Sequence, residues 1–136
     1  MKPILYLLIA SFSLSGFSFQ LMSQSLTYEG SSGVGKGKHI VFIASDHEYR
    51  GEETCPAIAR ILAKRHGFKC TVLFGLDNEG YIKPGSSKIP GMEALKEADM
   101  MFLFLRFLAP DDATMKHFID YLDRGGPVLG LRTTTH

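Results

Sequence analysis

The stretch Lys38–Arg50, which reads KHIVFIASDHEYR, decides the fold. Its run from His39 to Ala44 is almost entirely apolar, which is typical of a strand buried on both faces of a parallel sheet. From Ser45 onward the stretch is polar, and the residues after it place apolar side chains at helical spacing. Lys38–Arg50 therefore predicts a central strand whose carboxyl end carries several ionisable groups.

The rest of the chain repeats this strand-then-helix order. We predict that Thr54 caps the first helix, that Pro56 lies in its first turn and that Gly67 ends it. A second helix is predicted to start at Ala109–Asp112 and to end at Gly125-Gly126. The inner faces assigned to the two helices are Ala57, Ile58, Ile61 and Leu62, and Phe118, Ile119 and Leu122. The remaining predicted elements are strands over Phe68–Gly75, Met100–Leu105 and Pro127–Leu131, a loop over Leu76–Ile89 and a short helix over Met92–Ala98.

Strands that alternate with helices predict an α/β fold with a parallel sheet and right-handed crossovers. We expect a flavodoxin-like, three-layer α/β/α arrangement. The fourth strand, Pro127–Leu131, has no helix after it, and no later segment covers the sheet. The sequence thus predicts that the fold is incomplete and the chain truncated, which would leave a sheet face open to self-association into a homo-oligomer.

Composition limits the function classes. Of the 136 residues, 45% are hydrophobic and 21% are charged, so the chain is neither disordered nor fibrous. A formal net charge of +1 gives no reason to expect a nucleic acid or an acidic membrane surface as partner. Cys55 and Cys70 are predicted to be buried free thiols. The helix and strand between them leave a gap of roughly 10 Å, beyond the limit of about 7 Å for a disulfide.

The N-terminal residues are typical of a secretory signal peptide. Lys2 precedes a short apolar core, Ile4 to Ala10, and small residues follow it. We predict a signal peptide over residues 1–25, a flexible Gly- and Ser-rich lead-in over 26–37 and the folded domain over 38–136. The protein is then periplasmic or secreted, with no membrane association after cleavage. The alternative, an uncleaved anchor, fits less well because four serines interrupt the apolar stretch.

Ionisable residues collect at one edge of the predicted sheet. Ligands of open α/β sheets bind beyond the carboxyl ends of the strands, and Asp46, His47 and Glu48 follow the first strand. Closely placed acids and bases suit general acid–base chemistry, so these three are the candidate catalytic residues. Two other readings stay open: the carboxylates satisfy loop backbone groups and an arginine, or His47, a carboxylate and His136 bind a metal. We assign no metal and no cofactor.

The other strand ends supply candidate substrate-binding residues. Arg106 ends an apolar strand, where it either pairs with Asp46 or Glu48 or faces a ligand oxygen. Phe107 beside it either stacks on a sugar or packs as a core or lid aromatic. The remaining candidates are Tyr49 and Arg50, with the alternative that they are rim residues, and Arg132, Thr133 and His136 after the last strand.

Three segments together resemble ThuA-like (trehalose-utilisation) proteins, in particular an exported bacterial subgroup. They are Lys38–Arg50 with Glu53-Thr54, Leu103–Phe107 and Tyr121–Thr133, so that the resemblance spans residues 38–136. It implies a class I glutamine amidotransferase-like fold. In true amidotransferases the corresponding strand enters a Gly-x-Cys-x-Gly turn that holds the nucleophile. Gly130–Thr134 has Arg132 in place of the cysteine, so we expect no glutaminase activity.

The resemblance implies a role in the metabolism of disaccharides or their keto derivatives. The leading hypothesis is a periplasmic sugar-processing protein with a small sugar as its partner. Asp46, His47 and Glu48 would lie near the reacting carbons, while Arg106, Arg132 and His136 orient hydroxyls or stabilise an enolate-like oxygen. The alternatives are a non-catalytic sugar-binding or docking module on the same scaffold, and a non-functional fragment.

Overall fold

A computed structural model describes residues 25–135 of the chain. The signal peptide predicted over residues 1–25 therefore lies outside the described residues apart from Ser25, and so does the candidate binding residue His136. No helix within the described range is long and apolar enough to cross a membrane. The elements, in chain order, are β1 (Leu26–Tyr28), β2 (His39–Ser45), α1 (Gly51–His66), β3 (Lys69–Phe74), a 3₁₀ helix (Met92–Glu97), β4 (Met100–Leu105), α2 (Asp112–Asp123) and β5 (Val128–Gly130).

The strands form one sheet in the order β1-β3-β2-β4-β5. β2 pairs in parallel with β3 on one side and β4 on the other, so that Ile40 lies opposite both Cys70 and Met100. β5 is parallel to β4, and among the strands of residues 25–135 only the short edge strand β1 is antiparallel to its neighbour. The predicted α/β class with a mostly parallel sheet is confirmed, and the strand order is compatible with a flavodoxin-like arrangement.

The two faces of the sheet carry separate hydrophobic cores. Ile40 and Phe42 of β2 pack on the α1 side, whereas Val41 and Ile43 pack on the side of the 3₁₀ helix and α2. All four side chains are at most 4% exposed, and the ring of Phe42 lies 4.5 Å from that of Phe102. The expectation that β2 is buried on both faces is confirmed, and the strand forms a rigid support for the loop that follows it.

Helix α1 starts earlier than the sequence predicted. Its first residue is Gly51, and the preceding Arg50 has φ 56° and ψ 50° with no capping side-chain bond, so Thr54 is not the cap. A Cβ at Gly51 would lie 3.3 Å from the Phe104 ring and 3.6 Å from Asp46 Cβ. Because of the earlier start, Pro56 lies inside the helix and not in its first turn as predicted. The close approach at Gly51 brings the helix start directly against the ends of β2 and β4.

The predicted inner faces of the two helices are confirmed only in part: Ile58, Leu62 and Phe118 pack against the cores, but the most deeply buried residues are others. Small side chains, Cys55, Ala59 and Ala63, bring α1 onto the sheet, while Ile61 is 56% exposed. On α2 the buried residue is Tyr121. Its ring packs in the core, and its hydroxyl, which would be costly to bury unpaired, donates to the Pro127 carbonyl at 2.8 Å. The apolar residues left at least 39% exposed on α2 and β5 are Met115, Ile119, Leu122, Val128 and Leu129.

The segment predicted as a flexible lead-in, 26–37, is ordered. Leu26–Tyr28 pairs with β3, and the amide of Gly35 donates to the His66 carbonyl at 2.8 Å. The chain also passes very close to the end of α1, since a Cβ on Gly67 would lie 2.4 Å from the Ser32 carbonyl oxygen. Its many glycines permit this close packing, which composition alone does not distinguish from flexibility.

Replacement of Gly67 tests this packing. Gly67 has φ 82°, so an alanine there suffers both left-handed strain and a backbone clash. We expect Gly67→Ala to lower the free energy of unfolding, measured by urea denaturation, by about 2–4 kcal/mol. The matched control is Gly125→Ala, since Gly125 has φ 77° but no atom within 4 Å of the added Cβ. This control should lose only about 1 kcal/mol, and equal losses in the two variants would contradict an ordered 26–37 segment.

Both cysteines are buried and free, as the sequence predicted. Burial, together with the nearby charges of Asp46 and Glu52, raises the pKa of the Cys55 thiol to about 12. Burial raises the pKa of Cys70 to about 11. Each thiol therefore stays protonated in the folded protein at pH 8, where an unfolded cysteine is partly thiolate.

We expect neither thiol to react with an aromatic disulfide reagent at pH 8 while the protein is folded. Both should react within minutes in denaturant, since the thiolate is the nucleophile and burial suppresses it. A colorimetric thiol count before and after unfolding measures this. Because the folded state holds these protons longer, stability should fall as the pH rises above about 9. Rapid labelling of the native protein would contradict the buried position of the cysteines.

Candidate functional site

The carboxyl ends of three neighbouring strands, β2, β4 and β5, come together at one edge. The chain leaves β2 for β3 on one side and then crosses to β4 on the other, so the strand order reverses at β2. A crevice at such a reversal is where open α/β sheets bind ligands. The loop after β2, the turn after β4 and the turn after β5 therefore form the carboxyl edge, the candidate site.

Backbone strain is concentrated at this edge. Within residues 25–135 the non-glycine residues with positive φ are Arg50 (56°), Phe107 (51°) and Thr133 (80°). One follows each of the three strands that meet there. A left-handed conformation costs a side-chain-bearing residue about 1–3 kcal/mol, and such residues cluster at functional sites. The strain thus coincides with the charged residues that the sequence singled out.

Asp46 is the anchor of the edge. Asp46 is 1% exposed. Its Oδ1 accepts hydrogen bonds from the amides of Glu48 at 2.8 Å and Tyr49 at 2.6 Å. Oδ2 lies 3.3 Å from the hydroxyl of Thr133, which shares its single proton between this oxygen and the Leu105 carbonyl at 3.1 Å. These contacts tie the loop after β2 to the turn after β5. They leave Asp46 no surface for a substrate, so its place is that of a positioning residue rather than the catalytic one predicted.

Glu48 and Arg106 form an ion pair between the loops after β2 and β4. The Arg106 side chain is 20% exposed and that of Glu48 is 42% exposed, and the guanidinium carbon lies 4.8 Å from the centre of the Phe107 ring. The Arg106 Nε is buried and has no hydrogen-bond partner within residues 25–135. Pairing with Glu48 was one of the two readings of Arg106, and the structure shows this pair.

His47 is the exposed base of the edge. Its ring centre lies 6.2 Å from that of Phe107, which is itself 62% exposed. Gly85, in the loop between β3 and the 3₁₀ helix, approaches His47 from the other side. A Cβ on Gly85 would lie 3.0 Å from the His47 Cβ and 3.1 Å from Nδ1. The imidazole therefore lies between Gly85 and Phe107, close to the Glu48–Arg106 pair.

Tyr49 and Arg132 form a second contact across the edge, while Arg50 does not belong to it. The Arg132 guanidinium carbon lies 5.0 Å from the centre of the Tyr49 ring, which joins the loop after β2 to the turn after β5. Arg50 pairs instead with Glu53 in the first turn of α1, and its side chain is 72% exposed. Because its side chain is exposed and paired with Glu53, Arg50 is a rim residue. Its left-handed backbone starts helix α1.

The turn after β5 places its strained residue one position later than the resemblance implied. A nucleophile elbow holds its nucleophile in a strained turn between strand and helix. Here the residue with φ 80° is Thr133, and not Arg132. The Thr133 hydroxyl is 4% exposed at the residue level and lies 3.1 Å from the Leu105 carbonyl as well as near Asp46. The left-handed residue of this turn is therefore Thr133, and its hydroxyl is turned inward.

Sequence reasoning missed the loop that closes the site from the β3 side. The Ser45 hydroxyl donates to the Ser86 carbonyl at 2.6 Å, and the Ser86 hydroxyl donates to the Leu76 carbonyl at 2.6 Å. These bonds bring Gly85 against His47. The turn formers at Pro84-Gly85 were visible in the sequence, but their contact with His47 depends on a tertiary approach. No group of three or more His, Cys, Asp or Glu within residues 25–135 is arranged to hold a metal ion.

Removal of the Thr133 hydroxyl tests the anchor. Thr133→Val keeps the branched side chain, and thus the backbone strain, but leaves the buried Asp46 Oδ2 without its donor. We expect a loss of about 1–3 kcal/mol in the free energy of unfolding by thermal or urea denaturation. The matched control is Thr135→Val, because Thr135 is exposed in the same turn. It should change stability by less than about 0.5 kcal/mol, and a Thr133→Val protein as stable as this control would refute the anchor.

Comparison with known proteins identifies no relative. No family model matches the chain, and neither the curated proteins nor the solved structures contain a significant match.

Proposed function

We propose that this chain is a ThuA-like, exported protein of carbohydrate metabolism that acts on a keto-sugar at the carboxyl edge. The observation that carries the proposal is the coincidence of strain and charge: three left-handed residues follow three adjacent strands, beside an exposed imidazole and two arginines. The strand order β3-β2-β4-β5 supports the finer fold assignment, flavodoxin-like and class I glutamine amidotransferase-like. Export follows from the N-terminal sequence pattern and gives a periplasmic or secreted location.

The proposed chemistry is proton transfer next to a keto group. His47 removes a proton from the carbon beside the carbonyl, and that electron pair forms a carbon–carbon double bond. The carbonyl oxygen then carries negative charge, which Arg106 stabilises through its outer N–H groups. Return of the proton to the same carbon completes exchange. For isomerisation, the hydroxyl proton on that carbon first moves to the enolate oxygen, and the proton held by His47 then adds to the former carbonyl carbon. No thiol lies in the turn after β5, so glutaminase chemistry is not part of the proposal.

The other edge residues orient the substrate in this scheme. Glu48 holds Arg106 in place through their ion pair, and Phe107 offers an exposed ring against which a sugar face can stack. Tyr49 and Arg132 bound the opposite side of the edge through their stacked contact. The formal charges of Asp46, Glu48, Arg106 and Arg132 cancel, which fits a neutral sugar better than a polyanion.

A deuterium-exchange assay tests the catalytic role of His47. The purified protein is incubated with a 3-keto-disaccharide in D₂O, and mass spectrometry follows deuterium incorporation at the carbon next to the carbonyl. We expect His47→Ala to reduce the rate about 100-fold or more, because general base catalysis contributes at least this factor. Arg106→Ala should lose about 100-fold through the unstabilised oxyanion.

The control variants are His66→Ala and Arg60→Ala, which remove the same side chains from exposed positions on α1. They should exchange at the rate of the unaltered protein. If His47→Ala and Arg106→Ala are as active as these controls, or if the unaltered protein gives no exchange, the catalytic assignment is wrong.

A non-catalytic sugar-binding module is the second candidate. Pairing within the edge favours this candidate. Asp46 is hydrogen-bonded through both oxygens and Glu48 is paired with Arg106, so neither carboxylate is available to assist His47 in acid–base catalysis. Calorimetry with the same keto-sugar separates the candidates. Saturable heat of binding without deuterium incorporation identifies a binding module.

A further inference from the structure

A groove of about 440 Å³ lies at the opposite end of the strands from the candidate site. It lies between the sheet and the 3₁₀ helix Met92–Glu97. Its floor contains Thr27 of β1, His39 of β2 and Thr71 of β3, with Leu73 further in. Its rim includes Ser25, Lys69, Glu93, Lys96 and Glu97.

The floor is a chain of hydrogen-bonding groups. The Thr71 hydroxyl oxygen lies 2.9 Å from His39 Nε2 and 3.3 Å from the Thr27 hydroxyl oxygen. Thr71 is only 6% exposed, so it links the two outer groups and holds them in place. A hydroxyl can make up to three hydrogen bonds and an imidazole two. Within residues 25–135 Thr27 and the His39 ring each use one here, which leaves both with capacity toward the groove.

The electrical balance of the groove selects a neutral occupant. Two lysines and two glutamates line it, so their formal charges cancel. Burial, reinforced by the charge of Lys69, lowers the pKa of His39, which favours the neutral imidazole, the form able both to donate and to accept. An apolar segment would leave the remaining hydrogen-bonding capacity of the Thr27 hydroxyl and the His39 imidazole unused, at a cost for each group that it buried.

We propose that this groove binds a neutral, hydroxyl-rich small molecule the size of a mono- or disaccharide. Hydroxyl groups of such a ligand both donate and accept, as the floor does, and the volume lies within the usual range for small-molecule sites. The site is independent of the proposed catalytic one. His39 starts β2 and Asp46 follows its end, so about 20 Å of strand separates them.

Amide chemical shifts of the ¹⁵N-labelled protein test the proposal. Glucose, maltose and myo-inositol are titrated separately, with glucose 6-phosphate as the anionic comparison. We expect at least one of the neutral polyols to give saturable shifts at His39, Thr71 and Lys96 with millimolar affinity, and glucose 6-phosphate to bind more weakly there. Thr71→Val should weaken binding about five- to tenfold by removing the central hydroxyl.

Two further variants keep the result interpretable. Thr27→Val removes a floor hydroxyl from the edge strand and should also weaken binding, even if Thr71→Val is too unstable to study. Thr54→Val makes the same chemical change on α1, at the other face of the sheet, and should leave binding unchanged. The proposal is overturned if no neutral polyol gives saturable shifts at the groove, if shifts occur at the carboxyl edge alone, or if the phosphate ester binds the groove more tightly than glucose.

Discussion

The buried carboxylate of Asp46 is the constraint on which the carboxyl edge depends. A carboxylate that is 1% exposed requires hydrogen-bond donors, because burial without them is costly. Two donors are backbone amides of the loop after β2, and the third is the Thr133 hydroxyl in the turn after β5. One side chain thereby fixes the conformation of the loop and its distance from a turn 87 residues later in the chain. The exposed position of His47 and the orientation of Glu48 follow from this anchoring.

The anchored edge rests on a rigid support. Strand β2 is packed on both faces and flanked by parallel neighbours, so its end is held in position from four sides. Helix α1 approaches closely because the residues it buries against the sheet are small. The strain at Arg50, Phe107 and Thr133 persists because this surrounding structure determines their backbones. Rigid elements with strained turns are well suited to hold reacting groups in fixed geometry.

The two ends of the sheet differ in chemistry. The carboxyl edge carries the Glu48–Arg106 ion pair and two arginines stacked on aromatic rings, whereas the groove at the amino end of the strands has hydroxyls and an imidazole on its floor. The contrast has a simple origin. Helix starts and strained turns bring long charged side chains together above β2 and β4, while the floor of the groove is a sheet face at which β1, β2 and β3 present short polar side chains.

The sequence by itself determined the α/β class, the central strand, the burial of the cysteines and the edge at which charged residues collect. These depend on local pattern: an unbroken apolar run specifies a doubly buried strand, and a parallel strand specifies which end carries the loop residues. Only the tertiary structure decided that Asp46 is an anchor, that Thr133 rather than Arg132 is the strained residue, that Gly85 closes on His47 and that 26–37 is ordered. Each of these features depends on contacts between segments distant in the chain. Such contacts depend on how closely helices and loops approach the sheet, a distance that the periodicity of a single segment does not contain.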